Sequence, residues 1–454
     1  MSTSIVILAA GRGTRMKSQL PKVLHPLAGK PMLQWLLETA IKLNPKNINI
    51  VCGYGKAQVQ AALSEFNVQF VEQAEQLGTG HAVKQALNNI QNSDRVLVLV
   101  GDTPLISKKT LENLLATPNH AIGLLTVNVS DAAGLGRIIR NEKNHVIGIV
   151  EHKDASDEQR KIKEINTGIM VLPTPALTKW LGEITNDNAQ GEYYLTDVMA
   201  LAVRDNIMIH AVQAEDVNEV SSVNDRVQLA QLERIKQMAN AEEIMLQGVT
   251  LLDPARFDLR GDLIVGTDVT IDVNVIIEGQ VKIGNRCKIG PNVILKDTTL
   301  SDDVVIKSNC DIDGAIIGSA CEIGPFARIR PGTELAEHVK VGNFVETKKA
   351  KIAKGSKVNH LSYIGDTVMG SNVNIGAGTI TCNYDGVNKS QTTIEDNVFV
   401  GSNSALVAPV TLGENSTIGA GSVITKDVPA DELTVARAKQ VTIPGWQRPT
   451  KKAK

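Results

Sequence analysis

Nowhere in this sequence does an apolar run reach the roughly 18 residues of a membrane-spanning helix. Nor does a basic stretch precede a short apolar core at the N-terminus, the pattern of a secretory signal. A cytoplasmic protein with no membrane partner is the expectation. Charge imbalance is missing too. The 47 Lys and Arg against 49 Asp and Glu leave a formal net charge of -2, which gives nucleic acid or an anionic surface nothing to seek over the whole protein. Cysteine is sparse. Cys52, Cys287, Cys310, Cys321 and Cys382 form no C-x-x-C pair, and three of them, Cys287, Cys310 and Cys321, fall where a repeat wants a small apolar side chain. Those three read as reduced packing residues rather than metal ligands or disulfides. Length is what the chain has in excess: 454 residues outrun one ordinary core and imply two domains.

The second half is organised by sixes. From Val265 an aliphatic residue returns at Ile271, Ile277, Ile283, Ile289 and Leu295, and a small apolar side chain follows four residues after each of the first five, at Val269, Val275, Val281, Cys287 and Val293. A helix period of 3.6 and a strand period of 2 both fail to give sixes, whereas a short strand plus a corner, repeated, does. One-residue deletions shift the phase to Leu300, Ile306 and Ile312, then to Ile317, Ile323, Ile329, Leu335 and Val341, to Ile352, Val358 and Ile364, and to Met369 and Ile375. After an insertion the count resumes at Ile394, Val400, Leu406, Leu412, Ile418 and Ile424. Three hexads make a triangular turn of about 18 residues, and stacked turns pair at roughly 4.8 Å. The expectation is a parallel β-helix with a dry aliphatic axis.

The first half begins with a buried-strand run, Ile5 to Leu8, followed at once by Ala9-Ala10-Gly11-Arg12-Gly13-Thr14-Arg15-Met16. Small residues here let backbone amides close on an anion, and Arg15 and Lys22 add fixed positive charge. It is neither a Walker A loop nor the dinucleotide G-x-G-x-x-G. Further strands ending near Gly53 and over Arg95 to Val100 alternate with helical segments at Met32 to Leu43 and His81 to Asn89. That alternation predicts a doubly wound α/β sheet with its ligand at the carboxyl ends of the strands. Asp102, in Gly101-Asp102-Thr103-Pro104, sits at such an end and suits a Mg²⁺ ligand facing phosphates. Between the halves, Leu229, Leu232, Ile235 and Met238 recur in steps of three with no Gly or Pro until Gly248, which predicts a long amphipathic spacer helix. The domains expected are 1–226, a linker helix at 227–247, and 248–454.

On the β-helix, polar residues stand where the repeat does not need them. His360 lies in Val358-Asn359-His360-Leu361-Ser362-Tyr363, after the lysine-rich Lys348-Lys349-Ala350-Lys351, and the insertion carries Asn383-Tyr384-Asp385-Gly386 and Lys389. Rigid scaffolds tend to carry function on such loops. His25, His120, His145 and His338 have no comparable context.

The pattern L-A-A-G-x-G-T-R-M from Leu8, then Pro21-Lys22-Val23-Leu24, Gln76 to Ala82 and Gly101-Asp102, resembles the sugar-phosphate nucleotidyltransferases. Asn166-Thr167-Gly168-Ile169 and Gln190 to Asp197 narrow the likeness. With the hexads added, nearly the whole chain resembles a bifunctional bacterial family that acetylates glucosamine 1-phosphate and then uridylylates the product. The resemblance implies a Rossmann-like nucleotidyltransferase domain and a left-handed β-helix, a handedness the spacing does not give. It implies synthesis of UDP-N-acetylglucosamine, the precursor of peptidoglycan and lipopolysaccharide, from glucosamine 1-phosphate through N-acetylglucosamine 1-phosphate, with acetyl-CoA and UTP as co-substrates, Mg²⁺ as cofactor, and a homotrimer.

Carried onto this sequence, the resemblance puts Leu8, Ala9, Ala10, Gly11, Gln73, Gly78 and Thr79 around the uridine nucleotide, with Val100 and Gly101 beside it. Lys22 and Arg15 meet the phosphates, Arg15 in a catalytic role. Gly136, Glu151 and Asn166 hold the sugar, and Asp102 and Asn224 bind Mg²⁺. Val100 stands where many relatives have Tyr, which leaves a backbone contact there. In the other half it implies His360 as the proton acceptor. Arg330, Lys348, Tyr363 and Asn374 hold the amino-sugar phosphate. Ala377, Asn383, Tyr384, Ser402, Ala420 and Arg437 line the acetyl-CoA path. An imidazole, with an ordinary pKa of about 6.5, suits removal of a proton from an attacking amine. A nucleotidyltransferase whose β-helix only assembles it is the alternative, against which His360, Tyr363 and Asn383-Tyr384 speak; a nucleotide-sensing scaffold fits Arg15, Lys22 and Asp102 poorly.

Overall fold

The computed structural model describes residues 2–451. It divides into two compact units, Met1–Lys236 and Gln237–Lys454. Among the described residues no helix is long and apolar enough to cross a membrane.

The first unit is built on strands β1 (Thr3–Ala9), β2 (Asn47–Cys52), β3 (Gln69–Glu72), β4 (Arg95–Val100), β5 (Ile122–Asn128), β6 (Glu164–Pro173) and β7 (Ile209–Gln213). Their order across the sheet is β7-β5-β6-β4-β1-β2-β3. Ile5 to Ile7 and Val96 to Leu99 are buried, as continuous aliphatic runs covered on both faces must be. β1 pairs with β2 on one side and β4 on the other, all parallel, so the chain after β1 emerges where the strand order reverses. The sheet is mixed rather than wholly parallel, because β6 runs antiparallel to both β4 and β5. The helix expected over His81 to Asn89 is broken in two, Thr79–Gln85 and Leu87–Ile90.

The second unit is the parallel β-helix. Three stacks of inward side chains run up it: Ile271, Ile289, Ile306, Ile323, Val341, Val358, Ile375, Val400 and Ile418 in one, Ile283, Leu300, Ile317, Leu335, Ile352, Met369, Ile394 and Leu412 in the next. The third passes from Leu259 through Ile277, Leu295, Ile312 and Ile329 to Thr347 and Ile364. Every one of these is buried. Thr347, and Thr381 in the coil beyond, are hexad positions that an aliphatic search passes over; Thr381 answers its burial by accepting from the Gly365 N–H at 2.8 Å. Cys287, Cys310 and Cys321 are buried free thiols on this axis, and burial pushes Cys321 up to about 11.

A left-handed corner recurs up the coil. Asn274, Asn292, Asn309, Phe326, Phe344, Leu361 and Asn403 all have positive φ there, with Gly378 and Gly421 in the same file. Asn tolerates this conformation; Phe and Leu do so at a cost. The Asn side chains ladder, Asn274 to Asn292 at 2.9 Å and Asn292 to Asn309 at 3.2 Å, and Phe326 and Phe344 stack with centroids 5.3 Å apart. The residues just before these turns therefore form a file of their own: Asn343, His360, Ala377, Ser402 and Ala420.

The spacer is a single helix, Arg226–Leu246, and the boundary between the units falls inside it, where the sequence suggested a separate linker over 227–247. Its apolar face packs as expected at Leu229, Leu232 and Ile235 but not at Met238. Met238 is 46% exposed, because nine residues at about 100° each carry it roughly 180° around the axis from Leu229. Leu232 packs with Met16, Leu27, Met32 and Val223, while further on Gln237, Asn240, Ala241 and Ile244 are the buried residues. Gln237 makes two hydrogen bonds to the backbone of Leu259, accepting from its N–H at 2.7 Å and donating to its carbonyl at 3.0 Å. Gln237→Ala should cost about 2–4 kcal/mol, since it strands a buried N–H and C=O together. Calorimetry of the full chain should show the second unit's transition fall, and leave it in place for Met238→Ala.

Candidate active sites

The first site forms where β1 ends. Gly13 has φ 61°, and a Cβ there would stand 2.7 Å from Cβ of Lys22, so only glycine lets Lys22 pack this closely against the loop that leads into the short 3-10 turn Thr14–Met16; Arg15 and Lys22 both line the cleft. Across from it Gly78 has φ 113°, with its Cβ position 2.6 Å from the Tyr193 carbonyl. Thr79 Oγ1 accepts from the Leu195 N–H at 3.0 Å, and buried Gln73 donates to the Gly78 carbonyl at 3.0 Å. These residues enclose a cleft of about 1720 Å³ that Leu8, Ala9, Ala10, Gly11, Val100, Asp102, Gly136, Glu151, Asn166 and Asn224 also line. Ligand pockets commonly measure about 300–1,000 Å³, so this one has room for a nucleotide and a second phosphorylated group. Gly101 is the exception: it does not line the cleft but packs behind it, its N–H donating to the Leu8 carbonyl at 2.9 Å. That close backbone approach fixes where Asp102 points.

Asp102 is 7% exposed. One carboxylate oxygen, Oδ2, pairs with the Lys22 ammonium, which also reaches Asn224 Oδ1 at 3.3 Å; the other, Oδ1, is buried with no partner. A carboxylate and an amide oxygen converging on one cation, with a lone carboxylate oxygen left over, is a donor set that fits a hard divalent ion. Among the described residues no group of three or more His, Cys, Asp or Glu gathers as a metal site. Also lining the cleft, Asn166 lies at a bulge in β6, its Oδ1 accepting from the Gly168 N–H at 2.9 Å and its own N–H donating to the Gly136 carbonyl at 2.9 Å. Burial pushes the Glu151 carboxyl above its ordinary range, against the hydrogen bond from Thr196 Oγ1 at 3.2 Å, and the charges of Asp154 and Asp197 add to the rise.

The second group lies on the β-helix. The corner file puts His360, Ala377, Ser402 and Ala420 one above another: Gly378 donates to the His360 carbonyl, Asn403 to Ala377 and Gly421 to Ser402. Arg437 Nη1 then donates to the Ala420 carbonyl at 2.6 Å. On the adjoining face Arg330 Nη1 holds Glu346 at 2.7 Å, and Glu346 stands in register with Tyr363. A Cβ on Gly365 would collide with the Tyr363 ring, so that glycine lets the phenol lie along the strand. The insertion is a hairpin with a Tyr384–Lys389 bridge, and Asn383 donates to Asp366 at its base. Lys348 close beside Lys389 pulls the latter's pKa down, which marks two ammonium groups crowded together. Asn374 follows Lys357 on the other face.

Residues 5–133 match the MobA-like NTP transferase domain, residues 248–347 the EIF2B subunit epsilon LbH domain, and residues 391–426 the hexapeptide repeat of succinyl-transferase. Over 452 residues the chain is 57% identical to the bifunctional protein GlmU of Pseudoalteromonas atlantica, across 99% of this chain and 100% of that one. It is 55% identical to that of Marinobacter nauticus, across 98% and 99%. The chain belongs to the GlmU family. It is a bifunctional enzyme, with uridyltransferase and acetyltransferase activities.

Several residues that no sequence motif singles out stand against those that motifs do. His25 is buried, with Nδ1 3.3 Å from Arg226 Nη1, and Arg226 Nε donates to the Met16 carbonyl at 3.3 Å. Burial and that guanidinium hold His25 below its ordinary pKa. Arg226 thus ties the first residue of the spacer helix to the loop that bears Arg15, and no local motif announces it. Asn343, Glu346 and Asp366 are likewise invisible until the coils are stacked. For Glu151 the sign is definite: a carboxyl with raised pKa binds its proton more readily folded than unfolded, so it weighs against folding once ionised. Glu151→Gln should raise the unfolding midpoint of the first unit near neutral pH, and calorimetry should show the gap close as pH falls towards 4.5.

Proposed function

We propose that the chain makes UDP-N-acetylglucosamine in two steps at these two sites. Acetyl-CoA first acetylates glucosamine 1-phosphate on the β-helix. UTP and the resulting N-acetylglucosamine 1-phosphate then react in the first-unit cleft, with release of pyrophosphate. The observation that carries the reading is the corner file: an imidazole at one end, small residues with no bulk in the coils beyond, and a guanidinium at the other, a track suited to a thioester with an anionic tail.

In the acetyl step the amine attacks the thioester carbonyl, the nitrogen's proton passes to His360, and the thiolate of CoA leaves and is reprotonated from the imidazolium. Arg330, Lys348, Tyr363 and Asn374 hold the amino-sugar phosphate; a dianion arriving between Lys348 and Lys389 would relieve their mutual repulsion. Ala377, Asn383, Tyr384, Ser402, Ala420 and Arg437 line the path of acetyl-CoA. His360, Tyr384, Ser402, Ala420 and Arg437 are exposed in a single chain, which supports a homotrimer in which another copy walls the track.

In the uridylyl step the cleft binds and orients: Leu8 to Gly11, Gln73, Gly78, Thr79 and the Val100 backbone take the nucleotide, and Gly136, Glu151 and Asn166 the sugar. Lys22 and Arg15 offset charge at the α-phosphate. Asp102 and Asn224 would hold Mg²⁺, which when bound polarises phosphate oxygens and neutralises developing charge. Lys22, which pairs with Asp102 here, would face the phosphates beside the Asp102 and Asn224 oxygens. The setting proposed is the cytoplasm.

Two substitutions separate the halves. His360→Ala should abolish CoA release from acetyl-CoA and glucosamine 1-phosphate while pyrophosphate release continues at the parent rate. Asp102→Ala should do the reverse. Normal acetylation by His360→Ala would remove the assigned base, and equal loss of both activities in either variant would reveal misfolding in place of lost chemistry.

A further inference from the structure

Directly one coil before His360 lies Asn343. The two are paired in register on adjacent strands, and Asn343 Oδ1 stands 2.8 Å from His360 Nδ1. We infer that Asn343 is the positioning residue of the acetyl step, holding His360 in the one tautomer that can accept a proton at Nε2. The inference rests on reading His360 as the base.

An amide oxygen carries no proton, so this contact is a hydrogen bond only when the ring proton is on Nδ1. The lone pair then belongs to Nε2. Left to itself, a neutral imidazole divides between two tautomers, one of which turns an N–H where the base must be. The oxygen removes that choice and also fixes the ring's tilt.

The backbone gives the pair little freedom to slip. Each of the two residues precedes a left-handed turn, Phe344 with φ 56° and Leu361 with φ 50°. The Leu361 N–H donates to the Asn343 carbonyl at 3.0 Å and the Phe344 N–H to Phe326 at 3.1 Å, so both turns are clamped to the coil below them in the chain. From the other side, the His360 carbonyl accepts from Ser362 Oγ at 2.8 Å and from the Gly378 N–H. Gly342 contributes by absence: a Cβ there would run into the Asn359 carbonyl and force the coils apart at this very point. Side chains that leave equivalent positions of neighbouring coils run parallel, and an Asn one coil from a His is the right length to meet Nδ1 rather than Nε2.

The test uses the full chain, whose uridylyl activity reports on folding in the same tube. Asn343→Leu keeps the bulk and removes the oxygen. It should lower kcat for acetyl transfer by about 10- to 100-fold, part of the roughly 10²–10⁴ that a general base contributes, while KM for both acetyl-step substrates and the uridylyl rate stay within about twofold. Asn343→Asp keeps an accepting oxygen and has no N–H to offer, so it should restore most of kcat. Parent-like turnover by Asn343→Leu overturns the inference. So does a rise in KM with kcat unchanged, or equal loss of acetylation in the Leu and Asp variants, since each makes position 343 a packing or substrate-holding residue. His360→Ala runs alongside: if it still acetylates, the reading of His360 fails; if it is dead while Asn343→Leu is not, only the role of Asn343 fails.

Discussion

Hydrogen bonding from coil to coil, between residues 17 or 18 apart, is the constraint on which the C-terminal half depends. Each backbone group on a strand has a fixed partner above and below, so a side chain's height on the column is decided by its sequence number alone. Slippage by one residue would turn an aliphatic stack outward and a polar file inward. The single insertion escapes that penalty by folding on itself as a hairpin between Asn383 and Ser390, after which the register resumes. A scaffold this inflexible can hold an imidazole, a phenol and two ammonium groups in set places although all are at the surface, because their backbones cannot drift.

The N-terminal half meets the opposite problem, a charge that must be kept near neutral balance while no ligand is bound. Asp102 is carried into a buried position by close packing of Gly101 against β1, and Lys22 closes on it there. The pair costs desolvation energy and returns less than a well-packed apolar pair of the same size would. What the pair does provide is position: it holds Asp102 and the Lys22 ammonium at the mouth of the cleft, next to Asn224 Oδ1. From the helix side, Arg226 bonds the Met16 carbonyl and the His25 ring, so the segment that carries Arg15 and Lys22 is braced by a second, separate set of contacts.

The parts of this molecule that could be read from sequence are those where chemistry repeats or clusters locally. Sixes announced the column because every inward position must be filled, and the loop after β1 announced itself because close approach demands glycine at Gly13. Thr347 and Thr381 escaped an aliphatic search, since a threonine methyl can face a dry axis if its hydroxyl finds a backbone group. Met238 lies off the buried face of the spacer helix because steps of three drift around a helix of 3.6 residues per turn. The antiparallel run of β6 depends on long-range pairing, which no window of sequence contains. Asn343 and His360 are 17 residues apart, and only the coil length makes them neighbours.

A stack of parallel strands is also a template, since its first strand offers one free edge to any extended chain that comes by. Here the edge strand Phe257–Val265 pairs on one side only, and the amide of Gln237 meets the Leu259 N–H and carbonyl from the other as a neighbouring peptide group would. With Ala241 and Ile244 in the same apolar cluster as Leu259 and Phe257, a helix does duty as the missing coil. One primary amide, placed on that helix, thus answers a peptide group that the end of the column would otherwise leave to solvent or to a neighbouring strand.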